Sequence, residues 1–114
     1  MSVKLNTRQV GDVSVVDVAG RITLGEGSSA LRDALRDMTS KSQKKILLNL
    51  GDVSYIDSSG IGELVSGFTT VANSGGTLKL LNLTKRVKDL LQITKLYTVF
   101  EVHEDEAAAV RSFA

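Results

Sequence analysis

The chain predicts a single α/β domain, an open and partly parallel (mixed) sheet with about four helices packed against it, mainly on one face. Three observations carry this. The 114 residues suit one compact core. Runs rich in β-branched or apolar residues alternate with segments of helical apolar spacing, in the order β β α β α β α β α. Ile46-Leu47-Leu48-Asn49-Leu50 is a short, nearly continuous apolar run, the pattern of a strand covered on both faces at the centre of a parallel sheet.

The elements follow in order. Val13 to Val18 reads as a strand closed by Gly20, and the weaker alternation of Val3 to Val10 reads as its antiparallel partner across a Gly11-Asp12 turn. Between Glu26 and Ser42, Ala30, Leu31, Ala34, Leu35 and Met38 fall on one helical face, opposite Arg32, Asp33, Arg36 and Asp37. After the central strand, a second helix is marked by Ile61, Leu64, Val65, Phe68, Val71 and Ala72 and stops at Gly75-Gly76. Thr77 to Leu81 is the next strand, so residues 45–81 make a strand, helix, strand unit expected to cross over right-handed. Thr84 is a candidate N-cap for a third helix carrying Val87, Leu90 and Leu91. A last strand is expected near Thr98 to Val102, before a terminal helix whose first turn holds Glu104, Asp105 and Glu106, the charge sign that a helix start favours.

Composition narrows the function. A net charge of +1, with no basic stripe, argues against a phosphate-backbone partner, so no nucleic acid is expected. The lack of cysteine and the single histidine, His103, leave no thiol chemistry and no metal site, and no cofactor is expected. Met1 to Asn6 has no long apolar leader core and no stretch approaches the roughly 18 apolar residues of a membrane span, so the expected location is cytoplasmic, without a membrane partner.

The segment from Leu50 to Gly62 joins the central strand to the second helix and holds Asp57, Ser58, Ser59, Gly60 and Gly62 at the helix start. Ligands of open α/β sheets bind beyond the carboxyl ends of the strands, where this segment lies. Asp57 or either serine can serve as N-cap, which by itself is a structural role. A serine hydrolase lacks support: His103 is remote in sequence from Ser58, and Gly-x-Ser-x-Gly is absent. Gly60-Ile61-Gly62-Glu63 matches neither dinucleotide nor Walker patterns, so no catalytic residue is assigned and any ATP belongs to a partner.

Tyr55-Ile56-Asp57-Ser58-Ser59-Gly60-Ile61-Gly62 resembles the signature of STAS-domain anti-sigma factor antagonists. The resemblance spans nearly the whole chain, 1–114 read as one STAS domain, including Leu48-Asn49-Leu50, Gly75-Gly76 and Val87-Lys88-Asp89-Leu90-Leu91. It implies a non-enzymatic switch. Ser58 is the phosphate acceptor, an anti-sigma factor with serine kinase activity is the partner, and a serine phosphatase resets the cycle; the protein is a monomer or weak dimer. Asp57, Ser59, Gly60, Ile61 and Gly62 are carried over as kinase-recognition residues. For the glycines the other reading is tight helix-to-sheet packing, weighing more at Gly62 than at Gly60. For Ile61, spacing shared with Leu64 and Val65 marks the core, leaving partner contacts to polar residues such as Glu63 and Ser66.

The resemblance weakens at Gly20-Arg21-Ile22-Thr23, where such proteins commonly carry Gly-Glu-Leu-Asp. The implied fold brings Arg21 and Thr23 near Ser58, making Arg21 a candidate contact for a phosphate there and Thr23 a candidate second acceptor; the other reading of both is a solvent-facing loop residue. The competing function is a STAS scaffold subunit of a stressosome-like or lipid-transport assembly. Asp-Ser-Ser-Gly favours the switch over lipid transport.

Overall fold

In the computed structural model, which describes residues 3–114, the apolar run at 46–50 lies in the middle strand of a five-stranded sheet. Strands β1 (Val3–Val10), β2 (Val13–Ile22), β3 (Lys45–Ile56), β4 (Thr77–Leu81) and β5 (Val102–His103) are hydrogen-bonded in the order β1-β2-β3-β4-β5. β1 and β2 are antiparallel, with Val10 opposite Val13 across the Gly11-Asp12 turn, and the other pairings are parallel. Helices α1 (Glu26–Ser40), α2 (Ser58–Asn73), α3 (Lys85–Ile93) and α4 (Glu106–Arg111) link or follow the strands.

The alternation along β2 and β3 divides the apolar residues between two faces. One side of the sheet, with Val16, Val18, Ile46, Leu48 and Leu50, packs against Leu31 and Leu35 of α1, Leu64 and Val71 of α2, and Val87 and Leu91 of α3. The other side, with Val13, Val15, Leu47 and Leu81, packs against Ala109, Val110 and Phe113 around α4. Three helices therefore share one face, and α4 alone covers the other.

Polar groups hold α4 there. Arg8 of β1 donates to Asp17 of β2 at 2.7 Å and to Glu106 of α4 at 2.6 Å. Lys79 of β4, only 6% exposed, donates to the Ser112 carbonyl at 2.9 Å and the Ser112 hydroxyl at 2.8 Å, and pairs with Glu101 at 3.0 Å. A buried ammonium is tolerated only with such partners.

Several elements differ from the expectation. β2 continues through Gly20 to Ile22, so Gly20, Arg21 and Ile22 are strand residues. Gly51–Ile56, read as a connection, belongs to β3. Its alternation is broken because β3 bulges twice against β2. Between the pairs Asp17–Asn49 and Ala19–Asp52, and again between Gly20–Val53 and Arg21–Tyr55, β3 spends one residue more than its neighbour. Thr98 falls in a 3₁₀ turn, Tyr97–Val99, and the last strand is the two-residue β5. Glu104 precedes α4, whose N-cap is Asp105, accepting from the Ala108 N–H at 3.0 Å. Ala72, expected on the apolar face of α2, is exposed.

Leu48 is fully buried in β3, the middle strand of the sheet. Leu48→Ala should destabilise the fold by about 2–5 kcal/mol, read as a lower urea midpoint at unchanged slope.

Candidate functional site

The site begins with a change of conformation at the end of β3. Asp57 is extended, with φ −110° and ψ −174°, and α2 starts at Ser58. One carboxylate oxygen of Asp57 accepts the Gly60 N–H at 3.0 Å, which makes Asp57 the N-cap. The other accepts the Leu24 N–H at 3.2 Å, and the Asp57 N–H donates to the Ile22 carbonyl at 3.4 Å. One residue thus ties the start of α2 to the end of β2 and the segment entering α1. Partial burial pushes the Asp57 carboxyl up, but the N–H groups of Gly60, Leu24 and Ser59 outweigh it and hold the group below its ordinary value.

Ser58 is exposed in the first turn of α2, and Ser59 is half-buried beside it. Gly60 and Ile61 face inward, with Ile61 only 2% exposed, while Gly62 is exposed. With Gly60 and Ile61 buried, Ser58, Ser59 and Gly62 are the accessible residues of the motif within α2. A Cβ on Gly60 would lie 2.3 Å from the Ile22 carbonyl oxygen and 2.6 Å from the Ile56 side chain, whereas a Cβ on Gly62 would meet nothing within 4 Å. The packing role expected more of Gly62 therefore falls to Gly60, because the first turn of α2 seats on the backbone of β2.

Arg21 stands opposite Tyr55 in the β2–β3 register and stacks its guanidinium on that ring at 4.7 Å. The Thr23 carbonyl accepts from the Ser28 N–H at 3.0 Å and its hydroxyl at 2.9 Å, so the backbone of Thr23 helps anchor α1. Glu63 is paired with Arg32 of α1 at 3.2 Å, which ties it into the α1–α2 contact.

Sequence reasoning missed two residues here. Leu24, 79% exposed, follows Thr23 and is held to Asp57 through its N–H. Arg86, in the first turn of α3, places a second guanidinium 4.4 Å from the Tyr55 ring centre. The Thr84 N-cap, which accepts from the Val87 N–H at 3.3 Å, set the position of that turn, but nothing in the spacing linked it to Tyr55.

Ser58 lines none of the clearest surface clefts. Two open clefts of about 500 and 580 Å³ lie elsewhere, one lined by Asn49, Asp52, Asn82 and Glu104, the other by Gln9, Asp12, Gln43 and Lys45. Among the described residues no group of three or more His, Asp or Glu is placed to hold a metal ion, and no helix is long and apolar enough to cross a membrane. An exposed hydroxyl on a rigid helix start, beside an exposed leucine, suits contact with another macromolecule better than enclosure of a small substrate.

Comparison with known proteins agrees with this geometry. The STAS domain family model matches residues 4–109. An anti-sigma-B factor antagonist of Bacillus subtilis is 31% identical over 111 residues, 97% of this chain and 100% of its own length. Among solved structures, an anti-sigma factor antagonist of Mycobacterium paratuberculosis superposes with a TM-score of 0.83 at 18% identity, covering 97% of this chain and 93% of the other. The phosphorylated form of the Bacillus cell fate determinant SpoIIAA gives 0.76 at 18% identity, over 97% and 100% of the two chains. At such identities the structures speak to the fold alone.

The two glycines should respond with opposite signs. Gly60→Ala forces backbone apart and should cost about 1–3 kcal/mol, while Gly62→Ala should stabilise by about 0.4–1 kcal/mol, both from urea midpoints. The lowered Asp57 value contributes stability that is present above the ordinary carboxylate value, about 3.9, and lost as pH falls through the folded-state value. The stability gap between wild type and Asp57→Asn should therefore shrink below about pH 4. A gap constant from neutral pH down to pH 2 would contradict this.

Proposed function

This chain belongs to the STAS domain family, among its anti-sigma factor antagonists, and from that premise we propose that it binds an anti-sigma factor while Ser58 is unmodified and releases it once Ser58 is phosphorylated. Release returns the anti-sigma factor to its sigma factor, so the state of Ser58 sets transcription. The observation that carries the reading is the exposed Ser58 hydroxyl on a helix start fixed by Asp57, in a chain 31% identical to an antagonist over 97% of its length.

In this reading the anti-sigma factor is itself the serine kinase. It transfers the γ-phosphoryl group of ATP to the Ser58 oxygen; the new P–O bond replaces the bond to ADP, and the hydroxyl proton is lost to a base on the partner. A serine phosphatase hydrolyses the ester and resets the cycle. The chain catalyses neither step. It works in the cytoplasm as a monomer or weak dimer, and Asp57, Ser59 and Gly62, with Arg21 and Thr23 beside them, form the surface that the kinase recognises.

The physical chemistry supports a switch in affinity over a switch in fold. A phosphate adds about −1.5 to −2 charges, and a helix start favours an anion by about 0.3–1 kcal/mol. At a contact surface the same dianion opposes binding when it meets like charge or must lose water, and about 2.7 kcal/mol weakens affinity roughly a hundredfold.

Site-mapped mass spectrometry on protein from the host should find one phosphate at Ser58 that is absent from Ser58→Ala. Ser58→Asp should bind the anti-sigma factor at least about tenfold more weakly, a difference of about 1.4 kcal/mol, with stability within about 0.5 kcal/mol of wild type. Unmodified Ser58 under every growth condition would refute the switch and leave a constitutive scaffold.

A further inference from the structure

The stack of two arginines on Tyr55 has a use beyond its own packing. Arg21, near the end of strand β2, and Arg86, from the first turn of α3, are both exposed and both hold their guanidiniums on one ring, at 4.7 and 4.4 Å from its centre. The two cations cannot be farther apart than those distances together. Arg8 and Arg32 each face a carboxylate, but among the described residues neither Arg21 nor Arg86 has an acidic partner within ion-pair distance. Two like charges held near one another repel weakly in water, and an anion placed between them would offset that repulsion.

The chain places such an anion close by. Tyr55 precedes Ser58 by three residues, which span at most about 11 Å even when extended. Arg21 adjoins Ile22, whose carbonyl accepts the Asp57 N–H. Arginine is suited to phosphate because its planar fork donates two parallel hydrogen bonds and its weak hydration makes desolvation easy. Stacking on Tyr55 already restricts both side chains, so little further freedom is lost when they close.

We propose that Arg21 and Arg86, positioned by Tyr55, form a clamp for the phosphoryl group of phosphorylated Ser58 on the same chain. The clamp rests on the reading of Ser58 as a phosphate acceptor and extends it. Phosphorylation then changes more of the surface than one side chain, because two open cations become neutralised at the same moment that a dianion appears. The phosphorylated face is ordered, and a partner must break the clamp to use either arginine.

The test uses full-length protein with phosphoserine installed at position 58 by genetic code expansion, so that no kinase is needed. Phosphorus NMR follows the second ionisation of the phosphate, ordinarily near pH 6, in wild type, Arg21→Ala and Arg86→Ala. The helix start acts equally in all three proteins, so the difference isolates the arginines. The wild-type phosphate should ionise about one pH unit lower than in either variant. In the phosphorylated wild type the Arg21 and Arg86 side-chain N–H signals should be displaced and insensitive to added inorganic phosphate, whereas in unmodified protein they should respond to it. Equal ionisation in all three proteins overturns the clamp. So does an equal response to inorganic phosphate in both forms, which would make the pair a site for free anions. Either negative result leaves the host phosphorylation of Ser58 standing, and an unmodified Ser58 in the host leaves the clamp measurement intact.

Discussion

The first turn of α2 sits against the end of β2 at backbone contact, and the rest of the site depends on that approach. It is possible because Gly60 presents only hydrogen to the Ile22 carbonyl, where a Cβ would come within 2.3 Å. Once the turn is seated, Ile61 drops into the core, Ser58 is turned outward, and Asp57 is close enough to both Gly60 and Leu24 to accept from each. A larger residue at position 60 would lift the whole turn, and the cap, the serine and the neighbouring Leu24 would move together.

The seating also explains how a site can be exposed without being loose. A serine that must enter another protein's active site has to protrude, yet a mobile acceptor would lose entropy on every encounter. Here the exposed atoms stand on a helix whose Leu64 and Val71 are fully buried and whose start is hydrogen-bonded to a neighbouring strand. The covalent change is then confined to charge and hydration at the surface, and the core reports nothing of it.

Much of this was legible in the sequence because it rests on periodicity and on local capping. The continuous run at 46–50 marked the central strand, Gly75-Gly76 marked the end of α2, and Thr84 marked the start of α3. What was hidden depended on contacts between distant segments. The role of Gly60 lies in its distance to Ile22, and the reversal between Gly60 and Gly62 could not come from composition, since both are helical glycines two residues apart. Arg86 joins Arg21 only through the tertiary placement of α3. Gly51 to Ser54 looked like a loop because a bulged strand loses the two-residue alternation by which strands are recognised. The strand forecast at Thr98 failed because Tyr97–Val99 closes a local turn, the Val99 N–H reaching the Leu96 carbonyl at 3.0 Å.

The two bulges of β3 act as a phase adjuster. A regular strand fixes which side each residue presents, so its length and the aspect of its last residue cannot be chosen separately. Each extra residue in β3 shifts that phase by one position while β2 keeps its own. Two shifts restore Ile56 to the core, level with Ile22, and bring Tyr55 level with Arg21. A related strand with one bulge would reach the same switch motif with its side chains on the opposite sides. The identity of the motif and the aspect in which it is shown to a partner are therefore set by different stretches of the chain, and each can vary while the other is kept.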